Sequence, residues 1–321
     1  MSSQTTSLGN LMARATGRTQ GSSSAGHTLS LGRQLLLQAM LLVIAFTVLF
    51  PLLWVVSLAL DPRNISRPTT LQLIPPGASL QAFQSVIAQP TVNKISFLGL
   101  ALNSLKLAGG TAFGSLLIGV LAAYSFSRFR FRGREALMLG VVTVLMLPAI
   151  AALPALYVLL NRFQVVDVVT HKIIFNLRDS LWGVGFAMIS GMLPFAIWNL
   201  KGFLDTIPKE LEEAAIIDGA NANQVFIQIV LPLAVPALAV TGFLGFMSGW
   251  TEFAVSWQFL NNVQDHTLMM ELYNMIGQYA GNTPWSKFAA MSILVSLPVS
   301  IVYLALQRYI VGGLTIGGVK G

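Results

Sequence analysis

Lys201-Gly-Phe-Leu-Asp205-Thr-Ile-Pro-Lys-Glu210-Leu-Glu-Glu-Ala-Ala215-Ile-Ile-Asp-Gly219-Ala-Asn-Ala-Asn-Gln-Val-Phe-Ile-Gln-Ile-Val-Leu-Pro232 is the stretch whose reading decides the fold. Five of the chain's twelve acids, Asp205, Glu210, Glu212, Glu213 and Asp218, are concentrated in it. Thr206 is placed to cap a helix N-terminus, and Pro208 suits the first turn. Glu210 and Glu212 complement the positive end of the helix dipole, and Gly219 supplies a left-handed stop. The pattern predicts a short helix on which Leu211, Ala214, Ala215 and Asp218 share one narrow face with small side chains at its centre. Small residues there let a groove on another protein approach the helix backbone. After Gly219 a second helical segment, roughly Ala222 to Val230, leads into Leu231-Pro232.

Outward from this loop the chain turns apolar. Of 321 residues 55% are apolar and 10% charged, and the mean hydropathy is +0.71. A soluble domain carries charge on about a quarter of its residues, so the bilayer is the expected solvent. The neutral runs Gln34 to Leu60, Leu107 to Ser127, Ala136 to Asn161, Ser180 to Leu200, Leu231 to Trp250 and Phe288 to Gln307 each reach the length of about 20 residues that a membrane crossing needs. Six transmembrane helices are predicted, with both termini on one side.

Lys and Arg near the ends of the spans decide which side. With the N-terminus inside, eleven lie in the cytoplasm, among them Arg128, Arg130, Arg132 and Arg134 in one short loop, and seven lie outside, with Lys106 at the mouth of the second span. The net charge of +7 then reflects orientation in the membrane, not nucleic-acid binding. Residues 1–33, rich in Ser, Thr and Gly without apolar periodicity, read as a disordered cytoplasmic tail.

Prolines 148, 154, 194, 236 and 298 fall inside the later spans and favour a packed bundle around a cavity. Gly109, Gly110, Gly114 and Gly119 suit close packing of the second span. The absence of cysteine excludes disulfides, iron–sulfur clusters and thiolate chemistry. His27, His171 and His266 are too far apart for a local metal motif and read as surface positions, so no metal site is expected.

Glu213-Ala214-Ala215, three residues, Gly219, nine residues, then Ile229-x-Leu231-Pro232 resembles the EAA signature of ABC-importer permeases, with every fixed position filled. Asn103-Ser-Leu-Lys106, Tyr124-Ser-Phe-Ser-Arg128 with Phe131-Arg-Gly133, and the C-terminal Gly313-Leu-Thr315-Ile-Gly317-Gly-Val-Lys320-Gly321 are similar to the carbohydrate branch, near the smaller permease of maltose/maltodextrin importers.

The resemblance covers roughly residues 35 to 321. It implies an all-α integral membrane protein of the type I importer permease (MetI-like) fold, with a permease core over 97–311, an EAA loop over 202–232, an additional first span over 34–60 and a cytoplasmic tail over 312–321. It implies a coupling helix seated in a cleft of a separate ATPase. Glu213 would make a polar contact with that ATPase, Ala214 and Ala215 a close-packed surface and Gly219 the turn, with Asp218, Leu231 and Pro232 completing the motif. Leu314, Thr315 and Lys320 of the tail would reach the ATPase. The partners implied are a second, related permease, two copies of the ATPase with its ATP and Mg²⁺, an extracytoplasmic sugar-binding protein, and lipid.

No chemistry of bond-breaking is expected of the chain itself. It contains no Gly-x-x-x-x-Gly-Lys-Ser/Thr loop, no Gly-x-Ser-x-Gly elbow and no His-Glu-x-x-His. Ionisable groups near the spans are candidates for the substrate path, here Lys106 and Glu252, with Trp250 to meet the apolar face of a sugar. The segment from Ser256 to Lys287, with Asn261, Asn262, Tyr273, Tyr279 and Trp285, suits either the docking of a binding protein or a membrane-interface belt. Permeases for other solutes, such as a polyol, glycerol phosphate, phosphate, amino acid or polyamine, would share the EAA loop. A membrane scaffold or a secondary transporter would need no ATPase.

Overall fold

Each long neutral run forms helix, as a chain must where no water satisfies its backbone. The computed structural model describes residues 30–64, 72–167, 173–276 and 283–318. In chain order its helices are α1 (Leu31–Leu60), α2 (Gln81–Ala88), α3 (Phe97–Arg128), α4 (Arg134–Leu145), α5 (Leu153–Asn161), α6 (Leu181–Leu204), α7 (Glu210–Ile217), α8 (Ala222–Leu233), α9 (Val235–Trp250), α10 (Ala254–Phe259), α11 (Leu268–Asn274) and α12 (Trp285–Gly318). Five helical stretches are long and apolar enough to cross a bilayer: α1, α3, α6, α9 with α10, and α12.

The span expected over Ala136 to Asn161 is not one straight helix. α4 and the segment Ile150–Asn161 meet at 99°, so the count is five spans, or six with this bent pair taken as one. The break follows from Pro148, which lacks an N–H and biases Leu147 before it away from helical backbone. Pro194 and Pro298 lie within α6 and α12. Pro154 and Pro236, expected as kinks, instead occupy the first turns of α5 and α9, where no N–H is required. A short antiparallel ribbon, β1 (Gln164–Val166) with β2 (Ile173–Asn176), follows α5 and was not expected from the sequence.

The chain divides into two units, Met1–Leu52 and Leu53–Gly321. Within the first, the tail expected over 1–33 lies outside the described residues as far as residue 29, and the part of α1 it contains is apolar with no buried side chain. Within the second, α3 packs along both α6 and α9. A Cβ on Gly249 of α9 would lie 2.7 Å from the Ala108 Cα of α3, and one on Gly119 of α3 would lie 2.9 Å from the Ala196 Cβ of α6. The helices therefore touch at the level of backbone, the use small residues have between membrane helices. Gly114 leaves room for the Ile189 side chain of α6, whereas a Cβ on Gly109 or Gly110 would meet nothing within 4 Å in this chain.

Two apolar clusters mark the ends of α3. One gathers Leu100, Ala108, Phe246, Trp250, Leu268 and Met291 near its start, and the other gathers Val120, Ala123, Leu200, Leu204, Val225 and Val230 near its end. At the start, Ser96 caps α3 by accepting from the Gly99 N–H at 3.1 Å. Asn103 donates to the carbonyls of Gln264 (2.6 Å) and His266 (3.0 Å), and Ser104 accepts from the Leu268 N–H at 2.8 Å. These bonds draw the segment before α11 inward. His266, read from the sequence as a surface position, is consequently buried, with Nδ1 bonded to Glu271.

Candidate functional site

The acidic loop after α6 forms α7, but the helix starts later than its sequence predicts. Thr206 does not cap it. Its hydroxyl donates back to the Phe203 carbonyl at 2.7 Å and closes α6, and the backbone at Lys209 opens α7 with no side-chain cap. Gly219 lies just past the helix at φ +90°, in the left-handed region, as read from the sequence. Asn221 then starts α8 with a capping box: its side chain accepts from the Gln224 N–H at 3.0 Å, and Gln224 accepts from the Asn221 N–H at 2.8 Å. Residues Val225–Val230 of α8 are wound as π-helix.

The faces of α7 are divided differently from the predicted stripe. Ala215 packs on the apolar cluster at the end of α3, as do Ala220, Phe226 and Leu231. Ala214 and Asp218 are exposed with Glu213, and Pro232 is exposed beside the buried Val230. Leu211, Ile216 and Ile217 are 46%, 59% and 85% exposed, an apolar surface alternating with acids. Among the described residues the side chains of Glu210, Glu213 and Asp218 have no hydrogen-bonding partner. The helix therefore shows its surroundings apolar side chains set between solvated carboxylates.

Glu212 is the exception, and the sequence reading missed it. Glu212 Oε1 accepts from Arg128 Nε at 2.5 Å, with the two side chains only 11% and 7% exposed, and Glu212 Oε2 accepts from the Tyr124 hydroxyl at 3.1 Å. Nη1 and Nη2 of the guanidinium donate to the Ser127 Oγ (2.9 Å) and the Ile207 carbonyl (3.1 Å). Ser127 in turn donates to Asp205 Oδ1 at 2.6 Å, and Lys201 Nζ donates to Asp205 Oδ2 at 2.6 Å. Burial pushes the Asp205 carboxyl up, but the bonds from Lys201 and Ser127 outweigh it and hold the group below the usual carboxylate range. Removing one partner of a buried ion pair of this kind costs about 3–5 kcal/mol. One signal was present in the sequence: Arg128 closes an apolar run, where a charge near lipid needs an internal partner.

The three residues singled out for a substrate path separate. Trp250 is buried, stacked on Phe246, and donates its indole N–H to the Val295 carbonyl at 3.0 Å. Both oxygens of Glu252 are occupied by the Val255 N–H (2.6 Å), the Ser256 N–H (3.1 Å) and the Ser256 hydroxyl (2.5 Å), so the carboxylate starts α10. Lys106 alone of the three lines a groove, of about 730 Å³, with Phe113, Trp182, Phe186 and Asp265. Asn261 and Asn262 donate their backbone N–H groups to Asp179 (2.6 and 3.4 Å), Tyr273 stacks on Phe253, and Tyr279 lies outside the described residues. The backbone of Leu314 and Thr315 continues α12, and Lys320 lies outside the described residues. Among the described residues no group of three or more His, Asp or Glu could hold a metal ion.

Residues 115–315 match the family model described as "Binding-protein-dependent transport system inner membrane component". The chain is 36% identical over 293 residues to the maltose/maltodextrin transport system permease protein MalG of Escherichia coli K12, covering 88% of this chain and 94% of that one. It is 33% identical over 282 residues to the galactooligosaccharides transport system permease protein GanQ of Bacillus subtilis, again covering 88% and 94%. Among solved structures, a bacterial ABC transporter involved in the import of the acidic polysaccharide alginate superposes with a TM-score of 0.67 at 21% identity, covering 86% of this chain and 95% of that one. The chain belongs to the family of binding-protein-dependent transport system inner membrane components and has the mostly helical fold of a type I ABC-importer permease.

Proposed function

We propose that the chain is one permease half of an ATP-driven importer that carries maltose/maltodextrin-like oligosaccharide across the cytoplasmic membrane. α7 acts as its coupling helix, seated in a cleft of a separate ATPase subunit. The observation that carries the reading is the surface of α7 itself: Leu211, Ile216 and Ile217 stand exposed between carboxylates that have no internal partner. In this reading Glu213, Ala214 and Asp218 face the ATPase, Gly219 sets the turn, and Leu231-Pro232 join the motif to α9. Two ATPase copies with ATP and Mg²⁺, a second permease and an extracytoplasmic sugar-binding protein complete the assembly. Both termini lie in the cytoplasm, and the tail carrying Leu314, Thr315 and Lys320 reaches toward the ATPase. Of the three substrate-path candidates, Lys106 keeps that role, because it lines a groove with aromatic rings that suit the faces of sugar rings.

The test is uptake of labelled maltotriose into proteoliposomes that hold the assembled complex, ATP inside and binding protein outside. ATP-dependent uptake competed by maltodextrin supports the reading. Uptake competed only by a galactooligosaccharide would move the substrate toward that of the relative GanQ, which is nearly as similar. Uptake of neither sugar overturns the carbohydrate assignment.

A further inference from the structure

Among the described residues α7 is joined to a spanning helix by a single ion pair, Arg128 with Glu212. We propose that Arg128 and Glu212 are the positioning pair that hands displacement of α7 to α3, so that the coupling helix and this span move as one body. The inference rests on the importer reading above. The acids α7 turns outward are Glu210 and Glu213, so contact with an ATPase does not require Glu212.

The apolar contact of α7 with the bundle is made through Ala215, whose small side chain offers little directional restraint. The Arg128 guanidinium, by contrast, is a rigid planar fork, and each of its three nitrogens donates within the chain: to Glu212, to Ser127 and to the Ile207 carbonyl. Glu212 is held from its other oxygen by Tyr124, whose ring lies 4.8 Å from that of Phe226 on α8. α3 then meets α6 and α9 at backbone distance, at Gly119 with Ala196 and at Ala108 with Gly249. A push on α7 therefore enters the closely packed α3 through Glu212 and its two bonds, to Arg128 and to Tyr124. A buried ion pair is weak evidence for stability, whereas its fixed geometry suits the transmission of position.

The chain contains no cysteine, so with cysteine-free partners a pair of spin labels can be placed uniquely at Lys209→Cys, where the backbone opens α7, and Leu121→Cys on α3, both exposed in the chain. The full complex with ATPase, second permease and binding protein is measured without nucleotide and with ATP. The expected result is an interlabel distance that stays fixed in the Arg128 background and shifts on ATP binding in Arg128→Gln. In Arg128→Gln the stimulation of ATPase by binding protein falls about ten-fold, while basal ATPase activity and co-purification of the ATPase persist. Arg128→Lys, which restores charge without the fork, recovers part of the stimulation. Tyr124→Phe removes one bond to Glu212 and keeps the ring, and a partial loss of stimulation is expected there even if Arg128→Gln does not insert. A distance that already shifts with ATP in the Arg128 background overturns the proposal. So does stimulation within about two-fold of the parent in Arg128→Gln, or loss of the ATPase from that complex. If the unsubstituted chain neither retains an ATPase nor is stimulated, the importer reading fails first, and this one with it.

Discussion

The two ends of α3 treat their polar groups in opposite ways. Near Asn103 the acids are bonded within the chain, Glu252 to the start of α10 and Glu271 to His266, beside Asn103 on two carbonyls and Ser104 on the Leu268 N–H; Glu271 Oε2 is one of six buried side-chain atoms without a partner among the described residues. Of the five acids in the loop near Arg128, only Asp205 and Glu212 are bonded within the chain among the described residues, while Glu210, Glu213 and Asp218 face outward beside exposed Ile216 and Ile217. At the first end the acids serve the chain's own packing. The other end leaves carboxylates and isoleucines in the open, which is the surface that the proposed ATPase contact would cover.

Gly219 offers the largest break in this contrast. At φ +90° a β-branched side chain is strained by about 1–2 kcal/mol or more, although its Cβ would meet no neighbour within 4 Å. The cost therefore falls on the backbone turn that ends α7 and not on the core. Gly219→Val is expected to insert and to melt within a few degrees of the parent, yet to lose essentially all binding-protein-stimulated ATPase activity in the reconstituted complex. Retained stimulation would show that the turn does not set the coupling surface.

Glu252 tests the opposite end. Truncation leaves the N–H groups of Val255 and Ser256 without their acceptor, which costs about 1–3 kcal/mol for buried donors. Glu252→Ala should lower the thermal midpoint in detergent, while uptake per folded molecule at lower temperature stays near the parent value. Unchanged melting combined with lost uptake would return Glu252 to the substrate path.

The spans and the acidic loop are readable in the sequence because both rest on local signals. Neutral runs of spanning length announce lipid, and acids before a glycine announce a short helix with a left-handed end. What stayed hidden depends on contacts distant in sequence. The pairing of Arg128 with Glu212 joins residues 84 positions apart, and no periodicity reports it. The burial of His266 depends on Asn103, 163 positions away. The break at Pro148 was legible as a proline, but a kink and a turn of 99° look the same from one residue. Thr206 misled because a hydroxyl serves equally well at the end of one helix as at the start of the next, and the Phe203 carbonyl was nearer.

Glu213 sharpens the contrast at the end near Arg128. It is exposed and has no internal partner, so Glu213→Ala should change the melting temperature by no more than the roughly 0.5 kcal/mol typical of surface substitutions. If its carboxylate meets the ATPase, detergent-solubilised complex should dissociate several-fold more readily, and the loss should shrink at high salt. Equal association of the variant and the parent across salt concentrations would place Glu213 outside the interface.

The smallest effect belongs to Asp205, the acid between the two behaviours. Its carboxyl is held below the usual range because the Lys201 and Ser127 bonds outweigh burial. The folded-state value lies below the unfolded one of about 3.9, so the stabilisation is fully present above that pH and disappears as pH falls through the folded value. Lys201 and Asp205 side chains are 20% and 41% exposed, which screens the pair and keeps its contribution under about 1 kcal/mol. Asp205→Asn should therefore melt slightly below the parent at pH 7, and the gap should close as the pH is lowered below about 4. A gap that stays constant across this range would mean that the carbonyl geometry of the side chain, not its charge, is what Ser127 and Lys201 hold.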